Sequence, residues 1–229
     1  MLRLSLVAAL SLLVAGYVVV PERAAEAEAE EPPQQAPMTF FITSVGPGDG
    51  ADLGGLEGAD AWCEHLAFAV GAGDREWRAY LSAAPEGGMG AVHARDRIGD
   101  GPWHNARGAL IAENPDQLHS DDANLDKASI LTEWGEIVRG RGESPNRHDI
   151  LTGSNLDGTY YASGDGDATC GNWTSSSGNG SARVGHFDRT GGGENPTSWN
   201  SAHGSRGCGQ SDLRGTGGDG LYLCFATDE

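Results

Sequence analysis

Between Cys170 and Cys208 runs CGNWTSSSGNGSARVGHFDRTGGGENPTSWNSAHGSRGC, a segment with neither the period of a helix nor the alternation of a strand. Gly, Ser and Asn dominate it, so it cannot bury enough apolar surface to offset the entropy of being fixed. Any fold that contains it must hold it from outside. A bond between Cys170 and Cys208 would remove at most about 4 kcal/mol of denatured-state entropy on the chain-entropy model. The need extends beyond this loop, because glycine supplies 36 of the 229 residues and concentrates after residue 150.

The cysteines are informative only in the right compartment. Residues 1–20 carry one early charge, Arg3, and then an apolar run from Leu4 to Val20, the layout of a secretory signal with a small-residue cleavage site at Ala25-Glu26-Ala27. Residues 1–27 are therefore predicted as a signal peptide. The run is also just long enough to serve as an uncleaved membrane anchor. Export places the chain as secreted, periplasmic or cell-surface. Its four cysteines, Cys63, Cys170, Cys208 and Cys224, then argue for two disulfides, with three pairings open. No pair has the close spacing of a thiolate zinc site.

Asp and Glu number 33 against 15 Lys and Arg, a net charge of −18. That balance disfavours nucleic acid and polyanionic glycans as main partners and suits solubility in saline surroundings.

Residues 28–37 are Ala, Glu, Pro and Gln and read as a disordered tether, with one folded domain over 38–229. MTFFITS (38–44) predicts a strand. Leu56, Ala59, Cys63, Leu66, Ala67 and Val70 mark the buried stripe of a helix that stops at Gly71, with Glu57 and Asp60 placed to favour its dipole. Further β segments are WRAYLS (77–82), with Trp77, Ala79 and Leu81 on one face, HDILTGS (148–154) and LYLCFAT (221–227). WHNARGALIAE (103–113) reads as a strand or short helix, and SILTEWGEIVRG (129–140) as a hairpin turning at Trp134-Gly135. An early helix, dispersed strands and late glycine-rich loops make an α+β domain.

In order along the chain, GGLEGADAWCEHLAFAVGAGDREWRAYLSA, WHNARGALIAENPDQLH, DILTGSNLDGTYY, CGNWTS, CGQSDL and LYLCFA resemble the endostatin domain, the C-terminal module of certain collagens. The likeness spans roughly 40–228 and all four cysteines. It implies a C-type-lectin-like fold in which first and last segments pair, and nested disulfides, Cys63 to Cys224 and Cys170 to Cys208. The family's zinc-binding, histidine-rich N-terminus and arginine-rich heparan sulfate surface do not carry over, since no histidine precedes His65 and the chain is strongly acidic. Sugar-binding C-type lectins hold calcium through Glu-Pro-Asn or Gln-Pro-Asp and Trp-Asn-Asp. Here Glu194-Asn195-Pro196 and Asn172-Trp173-Thr174 have neither form.

Several groups could carry chemistry. His186 and Asp188, two apart on an extended segment, would point the same way, and His203 could complete a set for a divalent metal, calcium or zinc; His148 beside Asp149 is a weaker fourth member. Asn172, Trp173, Trp199 and Asn200 are candidate sugar contacts, an indole stacking on a ring while amides take hydroxyls. Asp122, Asn124, Asp126 and Glu133 imitate a calcium loop but place Lys127 where glycine is required. Asp165-Gly166-Asp167 reads as a turn that could hold structural calcium. The chain has no nucleophile elbow, HExxH or phosphate loop. The expectation is an exported, non-enzymatic domain recognising carbohydrate or an extracellular protein through loops 144–216, with membrane contact only through an anchor. The rival is a metal-dependent enzyme centred on His186, Asp188 and His203.

Overall fold

The computed structural model describes residues 37–164 and 166–227. The predicted leader, all of the tether but Pro37, and Asp165 lie outside the described residues. Among those described, no helix is long and apolar enough to cross a membrane.

Three short strands form the first sheet: β1 (Phe40–Ile42), β2 (Trp77–Ala79) and, between them, β9 (Leu223–Ala226), all antiparallel. The first and last strands of the domain are thus neighbours. Side-chain alternation sends Phe40, Ile42, Leu223 and Phe225 to one apolar cluster and Phe41, Trp77, Ala79 and Cys224 to another, so the sheet is buried on both faces. This is why the centre of MTFFITS, Phe40-Phe41-Ile42, is a continuous apolar run rather than an alternating one.

Helix α1 (Gly55–Ala69) covers the second face through Ala59, Cys63, Leu66 and Ala67, and the chain leaves it through Gly71 at φ 80°. Cys63 on that stripe bonds to Cys224 on β9. The expected dipole role of Asp60 is corrected: its carboxylate turns inward, accepting from the Ala79 backbone N–H at 2.9 Å and from the Arg97 guanidinium at 2.6 and 2.9 Å. Asp60 therefore fastens α1 to β2, and apolar periodicity alone does not reveal such a tie.

Residues 103–113 form no helix. They make an antiparallel hairpin, β3 (Trp103–His104) with β4 (Leu110–Ala112), closed by the Asn105 N–H donating to the Ala109 carbonyl and the Ala109 N–H donating to Asn105 Oδ1. Residues 131–137 turn back at Gly135, as expected, through an isolated Leu131–Ile137 bridge. A one-turn helix, α2 (Pro115–Leu118), starts under an Asn114 cap.

The second sheet runs β7 (His203–Gly204), β6 (Arg183–His186), β5 (Asp149–Leu151), β8 (Gly218–Leu221). β5 is antiparallel to β6 and parallel to β8. The turn α3 (Cys170–Trp173) and helix α4 (Gln210–Thr216) flank it, joined by the Cys170–Cys208 disulfide. The fold is mixed α+β with small helices, several sheets and two nested disulfides, which point to an oxidising compartment.

Candidate metal centre

The register of the second sheet builds the site. Asp149 faces His186 directly across β5 and β6, and His203 faces Val184, two residues before His186. Directly opposed and diagonal neighbours share a face, so Asp149, His186 and His203 converge. His148 precedes β5 and its ring stacks on that of His186 at 4.3 Å.

Asp149 Oδ1 is the hub. It lies 3.1 Å from His148 Nε2, 3.4 Å from His186 Nε2 and 3.7 Å from His203 Nε2. The Nε2 atoms of His186 and His203 are 2.9 Å apart. Asp149 is 4% exposed, yet neither of its oxygens has a hydrogen-bond partner among the described residues.

The far side of each ring explains what the near side needs. His186 Nδ1 sits 2.8 Å from the Pro196 carbonyl, His203 Nδ1 3.1 Å from the Gly204 carbonyl, and His148 Nδ1 3.3 Å from Asp188 Oδ1. Carbonyls and carboxylates only accept, so Nδ1 carries the proton in all three rings. A neutral ring then presents its Nε2 lone pair to the carboxylate and to its neighbours. Lone pairs and a buried anion at these separations repel; one cation among them turns every contact attractive. Ligand atoms about 2.0–2.1 Å from a tetrahedral ion lie roughly 3.3 Å apart, and the contacts of Asp149 Oδ1 with His148 Nε2 and His186 Nε2, 3.1 and 3.4 Å, bracket that value. Donation of the outer N–H to a carbonyl or carboxylate is also how metal-bound imidazoles are oriented. His148, Asp149 and His186 can hold a metal ion, each offering a ligand atom within 4.8 Å of the others. His203 adjoins this group on the His186 side.

The electrostatics differ among the three groups. Burial pushes the Asp149 carboxyl up, against the pull of the three histidines. Burial also lowers His186, favouring the neutral, ligating form. At His148 burial pulls down as well, but the Asp188 hydrogen bond and the charges of Asp149 and Asp188 outweigh it and the net shift is upward.

Asp188 is corrected as a direct ligand. β6 ends at His186 and the chain turns, with Arg189 at φ 53°, so the two-residue alternation that would align Asp188 with His186 is lost. Its carboxylate instead accepts from the backbone N–H of Arg141 at 2.7 Å and of Thr190 at 3.2 Å and orients His148. Burial would raise it, yet the bonds from His148, Arg141 and Thr190 bring it down to about 2.

The aromatic candidates are corrected too. Trp173 is fully buried and its indole N–H donates to the Ser82 carbonyl at 2.8 Å. Asn172 Oδ1 accepts from the Ala84 N–H at 2.7 Å. Both stand in α3, where Cys170, Gly171, Asn172 and Trp173 all have positive φ, a left-handed turn costing about 1–2 kcal/mol per non-glycine residue. Their bonds and the Cys170 disulfide offset that strain, so these side chains anchor the loop. Trp199 is 4% exposed and packs on Tyr80 at 4.8 Å; Asn200 donates to Tyr80 Oη and to the Asn155 and Leu156 carbonyls. Trp199 and Asn200 still border a cleft of about 440 Å³ with His119, Arg189 and Asn195. The mock calcium loop disperses, Asp126 capping Ala128 and Ser129 while Glu133 binds Ser44. Asp167 caps Thr169.

The role of Asp149 was missed, and so was that of the glycines. A Cβ on Gly191 would come within 2.2 Å of His186 Cε1, one on Gly193 within 2.8 Å of His203 Cδ2, and one on Gly217 within 3.1 Å of His148 Nε2. The glycine repeat that looked like missing order makes room for imidazoles. No family model matches the chain, and no curated protein matches its sequence.

Proposed function

We propose that the chain is an exported, non-enzymatic recognition domain of the endostatin-like, C-type-lectin-like kind. One zinc-type ion, held by His148, Asp149 and His186 with His203 beside His186, fixes its loop face, residues 144–216. That face recognises carbohydrate or an extracellular protein, and the domain works in a secreted, periplasmic or cell-surface setting. The order of the resembling segments, the paired terminal strands and the nested disulfides support the fold assignment.

The observation that carries the metal is the Asp149 carboxylate, buried without a hydrogen bond and facing three imidazole nitrogens whose protons are committed elsewhere. A donor set of two imidazole nitrogens and one carboxylate suits zinc or a late first-row ion. Calcium asks for six to eight oxygens, so zinc is favoured over calcium at this position. Three protein ligands leave one position of a tetrahedral shell open, so the ligand count does not separate recognition from the rival enzyme. The sequence supports recognition, since it has no nucleophile elbow, HExxH or phosphate loop.

Metal analysis of the purified, dialysed protein tests this. One equivalent of zinc, lost in Asp149→Asn and accompanied by a chelator-induced fall in Tm, is the expected result. A metal-free protein whose Tm ignores both zinc and chelator would overturn it. A glycan array run with zinc and with chelator tests recognition, and turnover of any bound ligand would return the enzyme to first place.

A further inference from the structure

The loop face carries a second built feature, on the far side of Gly217 from the metal centre. Pro145, Asn146, Arg147, Arg214, Thr216 and Asp219 line a pocket of about 480 Å³ floored by the Gly215, Gly217 and Gly218 backbone. Asp219, with a side chain only 12% exposed, pairs with both arginines: its Oδ2 is 2.9 Å from Arg147 Nε, an ion pair without hydrogen-bond geometry, and its Oδ1 accepts from Arg214 Nε at 2.7 Å. Gln210 Nε2 also donates to Oδ1, at 2.8 Å, so this carboxylate is fully engaged. The terminal nitrogens of both guanidinium groups make no hydrogen bond or ion pair with any described residue.

We infer that this pocket binds a carboxylate on a small hydroxylated ligand, a sugar acid, between the Arg147 and Arg214 guanidinium groups. The inference rests on the reading of 144–216 as a recognition face and names the chemistry of its ligand. Two guanidinium groups, each paired with Asp219 through Nε, leave their terminal N–H donors for a second, planar carboxylate. Asn146 supplies a side-chain amide beside them for a hydroxyl. Counting the two arginines and Asp219, the pocket is positive by one charge on a chain of net −18. The wider negative field is screened beyond about 8 Å at physiological salt, so it excludes polyanions more than a single carboxylate in contact. Glycine matters here as well. A Cβ on Gly217 would meet Asn146 Nδ2 and His148 Nε2, each at 3.1 Å, so this backbone is the shared wall of pocket and metal centre.

Calorimetric titration of the full chain with glucuronate, its neutral methyl ester and inorganic sulfate decides the matter. Glucuronate is expected to bind at least about tenfold tighter than the ester. Arg147→Gln and Arg214→Gln should each weaken glucuronate by about tenfold, while Arg107→Gln, on the 103–113 hairpin, leaves it unchanged. Circular dichroism checks that each variant keeps the wild-type fold, and binding to the wild type should weaken with added salt. Glucuronate binding no tighter than the ester, or indifferent to both pocket variants, overturns the inference. Sulfate competing as well as glucuronate overturns its assignment to a carboxylate. Neutral glycans that bind the loop face independently of Arg147 and Arg214 would sink the pocket and leave the recognition reading standing.

Discussion

The two larger sheets of this domain are held by different physics. Around β9, Phe225 packs edge-on against Phe40 at 4.9 Å and Trp103 at 5.2 Å, and every residue of β1 and β9 is buried. Cohesion there is apolar area, on the order of 25 cal/mol per Å² removed from water. Around β5 and β6 the buried side chains include His148, Asp149, Thr152, Arg183 and His186. Buried polar groups stabilise nothing until each finds a partner. The first sheet should therefore keep its shape through apolar burial, to which the Cys63–Cys224 bond and the Asp60 tie are added, whereas the second depends on the Cys170–Cys208 bond, a strained turn and the proposed metal.

Breaking the disulfides one at a time tests this division most severely. The bond from Cys63 to Cys224 spans 161 residues and that from Cys170 to Cys208 spans 38, so the chain-entropy model gives upper losses of about 5 and about 4 kcal/mol. The larger loss should be global, visible in denaturant unfolding, with zinc content per folded molecule unchanged in Cys63→Ala/Cys224→Ala. The smaller should be local. Cys170→Ser/Cys208→Ser is expected to lose zinc and hydrogen-exchange protection in 183–208 while β1 and β9 stay protected. Equal effects of both pairs on both sheets would erase the distinction.

Asp149→Asn comes next and should act in opposite directions with and without metal. Without metal it removes a buried, unpartnered charge, so stability should hold or rise. With zinc present, affinity should fall by about a hundredfold, because a weakly basic amide replaces the carboxylate. Differential scanning calorimetry in zinc and in chelator reads both signs. A loss of stability in both conditions would mean that Asp149 is an ordinary structural acceptor.

The same division explains what was legible in the sequence. Periodicity disclosed β1, α1, β2 and β9 because apolar burial leaves a pattern, and Trp77, Ala79 and Leu81 do share a face. The hairpin at 103–113 stayed ambiguous because two-residue strands are too short for a period to develop. At the site, His186 and His203 were found as residue types, but the hub was not, because Asp149 reaches them through cross-strand register. Asp188 was overvalued for the complementary reason: sequence proximity implies a shared face only while the strand continues.

Acid should open the second region first, and the sign follows from the shifts. Zinc needs unprotonated Nε2, so affinity falls as pH falls, by about tenfold per pH unit for each proton taken up. His148 is shifted upward, so competition begins above the ordinary histidine range; His186, lowered by burial, stays a ligand to lower pH. Asp188→Asn removes the interaction that raises His148, and the pH midpoint of zinc release should move down. A purely structural Asp188 would leave the midpoint in place. Separately, Asp188, brought down to about 2, contributes stability present above the unfolded carboxylate pKa and lost as pH falls through 2.

The smallest effect isolates the glycines. In the run Gly191-Gly192-Gly193, a Cβ at 191 would meet His186 Cε1 at 2.2 Å, and one at 192 meets nothing within 4 Å. Gly192→Ala should be neutral within a few tenths of a kcal/mol, or slightly stabilising by reducing denatured-state freedom. Gly191→Ala must displace the imidazole, at a cost of about 1 kcal/mol, and should weaken zinc more than it lowers the Tm of the metal-free protein. If 191 and 192 behave alike, glycine there serves flexibility. If they differ as expected, it serves close approach of backbone to ligand, which makes the composition of the second region a consequence of its site.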